Sequence, residues 1–238
     1  MQYPVREVAF GQCRGCNLQV CSFSCSDIFE ALATWGQRDR SQHRYDTDML
    51  ILILGLVLFL GVHSARIVAE GSRQRFIEQR GANAWKGLYS IASLLGLILI
   101  VIGYGRAPEV YLWVPPGVLR PIAWLLIAVA FVLVVAAYVP GNHLKERIGH
   151  PMVVGVKVWA FAHLLVNGTL AALVLFGAFL IWAVVDFIAS RKRDRREGVE
   201  YAAGTTGATL ISVGIGLVGW VVFGMWLHKA LFGVSPFG

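Results

Sequence analysis

Long apolar runs follow one another from residue 49 to the C-terminal end, and they constrain the chain more than any other feature. They cover 49–69, 87–104, 121–139, 153–167, 169–188 and 209–227. Each approaches the ~20 residues that an α-helix needs to cross ~30 Å of hydrocarbon. Inside a bilayer the backbone must satisfy its own hydrogen bonds, which leaves helices as the reading for runs of this length. The expected fold class is therefore all-α, a polytopic membrane helical bundle of about six transmembrane helices. Composition agrees: 57% of residues are apolar, 15% are charged, and mean hydropathy is +0.64. The fourth run is the shortest and could tilt or enter only part-way.

Charge in the loops gives an orientation. Of the 21 Lys and Arg, five fall in 66–86, three in 145–157 and five in 191–196, all on one side of a six-span bundle. The positive-inside rule makes that side cytoplasmic and puts both termini outside, in a bacterial inner membrane. The net charge of +7 then reads chiefly as anchoring to anionic lipid, so membrane lipid is an expected partner. The run Arg191-Lys-Arg-Asp-Arg-Arg196 has no nucleic-acid-binding fold beside it, and no nucleic acid is expected as a partner.

Residues 1–48 read as a different object. They are polar and hold all four cysteines, Cys13, Cys16, Cys21 and Cys25. Four thiolates can bind zinc, and an external location would favour disulfides, but no foldable core accompanies them. A disordered extension is the expectation, with Met49 an alternative start. Residues 49–238 form the transmembrane domain.

Two histidines interrupt the lipid-compatible runs. His63 sits in the first with Phe59 and Arg66 on its helical face; His163 sits in the fourth with Trp159 and Asn167 at four-residue spacing. An ionisable group at membrane depth is costly unless it has a partner or ligand. Counting from Arg66 and Lys157 places the two imidazoles at similar depths on antiparallel helices. Facing imidazoles can supply both axial ligands of a haem, and Arg66 and Lys157 would serve its propionates. Without a CxxCH motif the haem would be non-covalent. Histidines satisfied by helix–helix hydrogen bonds are the plain alternative. His150 precedes Pro151 at a helix start, where it can cap the helix or bind an anion. Ser90, Ser93 and Gly96 recur at three-residue intervals and suit close helix approach, and would leave room for a ring. His228 marks the external end of the last span.

These strings resemble the NnrU family of bacterial membrane proteins, associated with denitrification. The matching stretches are LGLVLFLGVHS ending at Ser64, WKGLYS from Trp85, HPM from His150, KVWAFAHLLVNG from Lys157 and LFGVSP from Leu231. The resemblance runs from about residue 49 to the end. It implies a link to nitrogen-oxide respiration and membrane redox or denitrification proteins as partners. The family is related to 15-cis-zeta-carotene isomerase, a haem b enzyme, whose likeness makes His63 and His163 axial candidates. The HP element also resembles that of membrane methyltransferases using S-adenosylmethionine, although Gly149 precedes it here. A haem protein, an isomerase, a methyltransferase and a non-catalytic assembly component therefore stand as alternatives, and whether the protein is an enzyme is open.

Overall fold

A computed structural model describes residues 45–236 of the 238. The four cysteines and all but the last four residues of the 1–48 extension lie outside that range. The helices are α1 (Tyr45–His63), α2 (Ala65–Val68), α3 (Glu70–Arg80), α4 (Ala82–Arg106), α5 (Leu119–Tyr138), α6 (His143–Ile148), α7 (Pro151–Val166), α8 (Leu170–Glu197), α9 (Thr206–Val222) and α10 (His228–Phe232). One π-helical turn, Phe223–Leu227, joins the last two. The described residues contain no β-sheet, only isolated bridges between Tyr111 and Thr169 and between Asn142 and Thr205.

Five helices are long and apolar enough to cross a membrane: α1, α4, α5, α8 and the continuous run Thr206–Phe232. The protein is thus an all-α, multi-pass membrane bundle. The sixth expected span is α7, with 16 residues. At 1.5 Å per residue it is about 24 Å long, short of the ~30 Å hydrocarbon core. Residues 45–48 are already helical, so the boundary expected at 48/49 falls inside a helix.

The first span also ends earlier than the apolar run suggests. Ser64 Oγ donates to the Leu60 carbonyl at 2.7 Å and accepts from Trp182 Nε1 at 3.2 Å. Side-chain competition for a helix carbonyl bends helices, and here a turn at Ser64 separates α1 from α2. A polar helix, α3, then leads into α4.

Glycines set the closest helix approaches. A Cβ on Gly96 would lie 2.8 Å from the Phe59 backbone nitrogen, and one on Gly103 would strike the Leu52 backbone. The space at Gly96 is thus taken by α1 itself rather than left for a ring. α5 packs on α7 and α9, and α7 on α8. Leu52, Leu56, Ile100, Ala160, Leu175 and Phe176 belong to the buried core. Many other large apolar side chains face outward, among them Leu54, Leu125, Ile181 and Val218, as lipid contact requires.

Two loops are pinned by backbone bonds. Leu112 and Trp113 donate to the Gly168 carbonyl, and Leu170 donates to Val110. A side chain on Gly168 would collide with the Trp113 carbonyl, so the Asn167-Gly168 break between α7 and α8 depends on glycine. At the other end, fully buried Asn142 caps α6 and donates to the Ala136 and Val139 carbonyls. Glu146 accepts from His143 and from the Gly204 amide, which together hold its carboxyl below the usual carboxylate range.

Candidate functional site

His63 closes α1, and His163 stands one turn before the end of α7. Each Nδ1 points back to the carbonyl four residues earlier: 2.7 Å to Phe59 for His63 and 2.9 Å to Trp159 for His163. A carbonyl only accepts, so each Nδ1 carries the proton and each Nε2 keeps its lone pair. Neither Nε2 has a hydrogen-bond partner among the described residues. This matches how metal-binding histidines are oriented, with the far nitrogen tied to a carbonyl.

The rings are joined by aromatic contacts. His63 stacks on Phe59 at 4.2 Å between centroids and touches Tyr89 at 5.0 Å and Trp182 at 6.0 Å. Phe59 meets Phe179 at 5.7 Å, Phe179 meets Trp159 at 5.4 Å, and Trp159 meets His163 at 5.1 Å. His163 also stacks on Phe176 at 4.5 Å. Along α8, then, His163 contacts position 176 and His63 contacts position 182. Six residues correspond to about 9 Å of helix rise. The two imidazoles thus meet α8 at different positions, with Phe59, Phe179 and Trp159 linking them.

The other expected residues are placed as follows. Asn167 Nδ2 donates to the His163 carbonyl at 2.8 Å and so closes α7 behind the imidazole. Lys157 places its ammonium 3.7 Å above the Phe187 ring, a cation–π contact. Arg66 approaches Glu70 at 3.8 Å and is more than half exposed. His228 bonds the Val234 carbonyl through Nδ1 at 2.7 Å and contacts Phe232 and Phe223.

His150 belongs to a separate polar group. Its Nε2 lies 2.8 Å from Asp194 Oδ2, which also accepts from Tyr201 Oη at 2.8 Å and faces Arg191 at 3.8 Å. Burial, and then the Asp194 carboxylate, push the Tyr201 phenol up to about 12. The cluster ties the start of α7 to the end of α8 and the following loop. Gly149 makes room for it: a Cβ there would lie 2.9 Å from Arg191 Nη1 and from the Tyr201 ring.

Sequence reasoning missed Asp186, Asp194 and Tyr201. Asp186 had a visible signal, being the one charged residue between Leu170 and Ile188. It follows Trp182 by one helical turn and makes no hydrogen bond or ion pair among the described residues. Its electrostatic neighbours are Arg193, His150, Arg66 and His63. Nearby on α4, Ser93 follows Tyr89 by one turn, and its buried hydroxyl lies beside the Tyr89 phenol. Asp194 and Tyr201 had no local signal, because they meet His150 across 44 and 51 residues.

Comparison with known families supplies the wider context. The model of the NnrU family, described as NnrU protein, matches residues 51–236. The chain belongs to the NnrU family. That match contains α2 to α10 and both membrane histidines, and leaves out the N-terminal extension of this NnrU protein. No curated protein matches the chain, and no solved structure does. Among the described residues of the NnrU protein there is no group of three or more His, Cys, Asp or Glu able to hold a metal ion. A haem clamp draws on only two protein ligands.

Proposed function

We propose that this NnrU-family protein is an inner-membrane component of nitrogen-oxide respiration that holds non-covalent haem b through His63 and His163. The observation that carries the reading is the shared construction of the two histidines: Nδ1 tied to a carbonyl, Nε2 free, and aromatic rings between them. The donor chemistry fits haem, since neutral imidazole in an apolar setting is a good iron ligand. The aromatic link sets a condition: Phe59, Phe179 and Trp159 must give way for both imidazoles to reach one ring. In this reading Arg66 and Lys157 serve the propionates, with Lys157 leaving the Phe187 face. Trp159 and Asn167 position His163.

When bound, haem supplies one-electron chemistry or gas sensing at the iron. The chain's own contribution is to fix the imidazole tautomers, exclude water through the aromatic contacts, and provide cations at the bundle's edge. In this reading the basic loops 66–86, 145–157 and 191–196 face the cytoplasm, as the positive-inside rule favours, and both termini lie outside. Membrane redox or denitrification proteins are the partners this reading implies.

The test is the visible spectrum of detergent-purified protein from haem-replete cells, oxidised and dithionite-reduced. A strong Soret band with sharp low-spin reduced bands is expected. His63→Ala and His163→Ala should each lower haem per protein by at least about tenfold, since even indirect ligand support is worth that much. Folded protein without a Soret band, or variants that both keep the wild-type spectrum, would sink the proposal.

A further inference from the structure

A basic cleft lies apart from the imidazoles, where α2 meets the far end of α8. Arg66 and Ile67 face Ala189, Lys192, Arg193, Arg195 and Arg196 across a space of about 460 Å³. A second space of about 600 Å³ adjoins it, sharing Arg66, Ile67, Arg193 and Arg196 and adding Val68, Glu70 and Glu197. Two segments more than 120 residues apart in sequence therefore converge on one cationic hollow.

Its charge is only partly compensated. Lys192, Arg195 and Arg196 make no ion pair among the described residues; Arg193 donates to Ser190 Oγ at 3.0 Å and, with Arg66, acts electrostatically on Asp186. Glu70 is engaged by Arg73 at 3.0 Å and by Arg66. Asp194, the acid inside this run, is turned to His150, Tyr201 and Arg191 instead. Glu197 is the remaining acid on the rim.

The cleft also has an apolar side. Ile67 and Ala189 contribute its floor, and Ala189 directly follows Ile188, where the apolar run of α8 ends. Val68 is 79% exposed and Ile188 48% exposed. Cations thus stand at the level where α8 leaves hydrocarbon, with bare aliphatic surface beside them. A water-soluble anion gains nothing from that surface, whereas a phospholipid uses both parts. Basic pockets between membrane helices bind anionic headgroups in this manner.

We propose that this cleft is a discrete site for an anionic phospholipid. Lys192, Arg193 and Arg196 hold the headgroup phosphate, and the acyl chains lie along Val68 and Ile188. This differs from diffuse anchoring, in which any juxtamembrane cation contributes equally.

The full-length protein, purified in detergent, would be titrated with phosphatidylglycerol and read by native mass spectrometry. The double variant Arg193→Gln/Arg196→Gln should bind about thirtyfold more weakly, given roughly 1 kcal/mol for each of the two basic residues near an anionic headgroup. Arg75→Gln/Arg80→Gln removes the same charge from α3, outside the cleft, and should change binding less than about twofold on the same scale. Equal weakening in both pairs would show diffuse attraction and overturn the site. Inorganic phosphate or glycerol phosphate displacing the lipid at equal concentration would mark a free-anion site and overturn the lipid assignment. Should the first pair fail to elute as a monodisperse species, Lys192→Gln against Arg75→Gln makes the same comparison with one charge each. The visible spectrum should be unchanged in the cleft variants, so lipid and haem readings fail separately.

Discussion

At the end of α1, His63 has the rings of Phe59, Tyr89 and Trp182 around it and Asp186 as an electrostatic neighbour, with Ser64 and Arg66 just beyond it in the chain. His163, in α7, lies between Trp159 and Phe176, with Asn167 closing the helix behind it. The local device is the same in both, an Nδ1 bond to the preceding turn. Both imidazoles are lined by aromatic rings; what differs is that His63 stands at a helix joint with Asp186 as an electrostatic neighbour, while His163 lies within a short helix. Identical spacing to a carbonyl thus fixes a tautomer, while long-range packing decides what the free nitrogen can meet.

The comparison can be strained from each side. Gly96→Ala pushes a methyl group against the Phe59 backbone under His63, and Gly168→Ala drives one into the Trp113 carbonyl beside the end of α7. Each should cost about 1–3 kcal/mol of stability by overpacking, read as a lower melting temperature in detergent. Gly96→Ala should disturb the His63 surroundings alone and Gly168→Ala those of His163. Loss of both sets in either variant, followed by tryptophan fluorescence and near-UV dichroism, would mean the two regions are one cooperative unit.

Asp186→Asn probes the polar side. A lone carboxylate on an apolar helix without a hydrogen bond or ion pair opposes folding, so the amide should raise stability by about 1 kcal/mol. A lower melting temperature would show that Arg66 and Arg193 already compensate the charge. Residues retained despite such a cost are commonly functional.

A smaller effect concerns the His150 cluster. The Tyr201 phenol is raised from its ordinary 10.0 to about 12. A raised folded value means stability is fully present below pH 10 and is lost as pH climbs toward 12. Tyr201→Phe should remove that alkaline decline, seen as a flatter melting-temperature profile over this window. An unchanged slope would place the decline elsewhere. The least effect is expected from His228→Ala: its ring engages Val234, Phe223 and Phe232, and the haem spectrum should keep its shape. A spectrum altered there would move the ligand set toward the last helix.

Much of the fold was legible in the sequence because bilayer thickness translates directly into run length. The all-α class, the break at Asn167-Gly168 and the helical stretches around 87–104 and 121–139 all followed from apolar runs punctuated by Gly and Pro. Where polar atoms decided the outcome, reading was poorer. The end of α1 depends on Ser64 bonding back to Leu60 and receiving Trp182, a partner 118 residues away. The depth of the imidazoles rested on rise counted from Arg66 and Lys157, which takes both cations to sit at one boundary. Arg66 instead lies beyond a turn, and Lys157 folds onto Phe187. The His150–Asp194–Tyr201 group was invisible because its members meet only after α7 and α8 pair.

The shortness of α7 couples the protein to the lipid around it. A helix of 16 residues held at one end by Gly168 and at the other by the His150 cluster cannot lengthen to suit a thick membrane. The bilayer must thin beside it, or α7 must stay shielded behind α5 and α8. Acyl-chain length thereby becomes a mechanical input to the helix carrying His163, and reconstitution in lipids of graded thickness should shift the strain on that imidazole without any change in sequence.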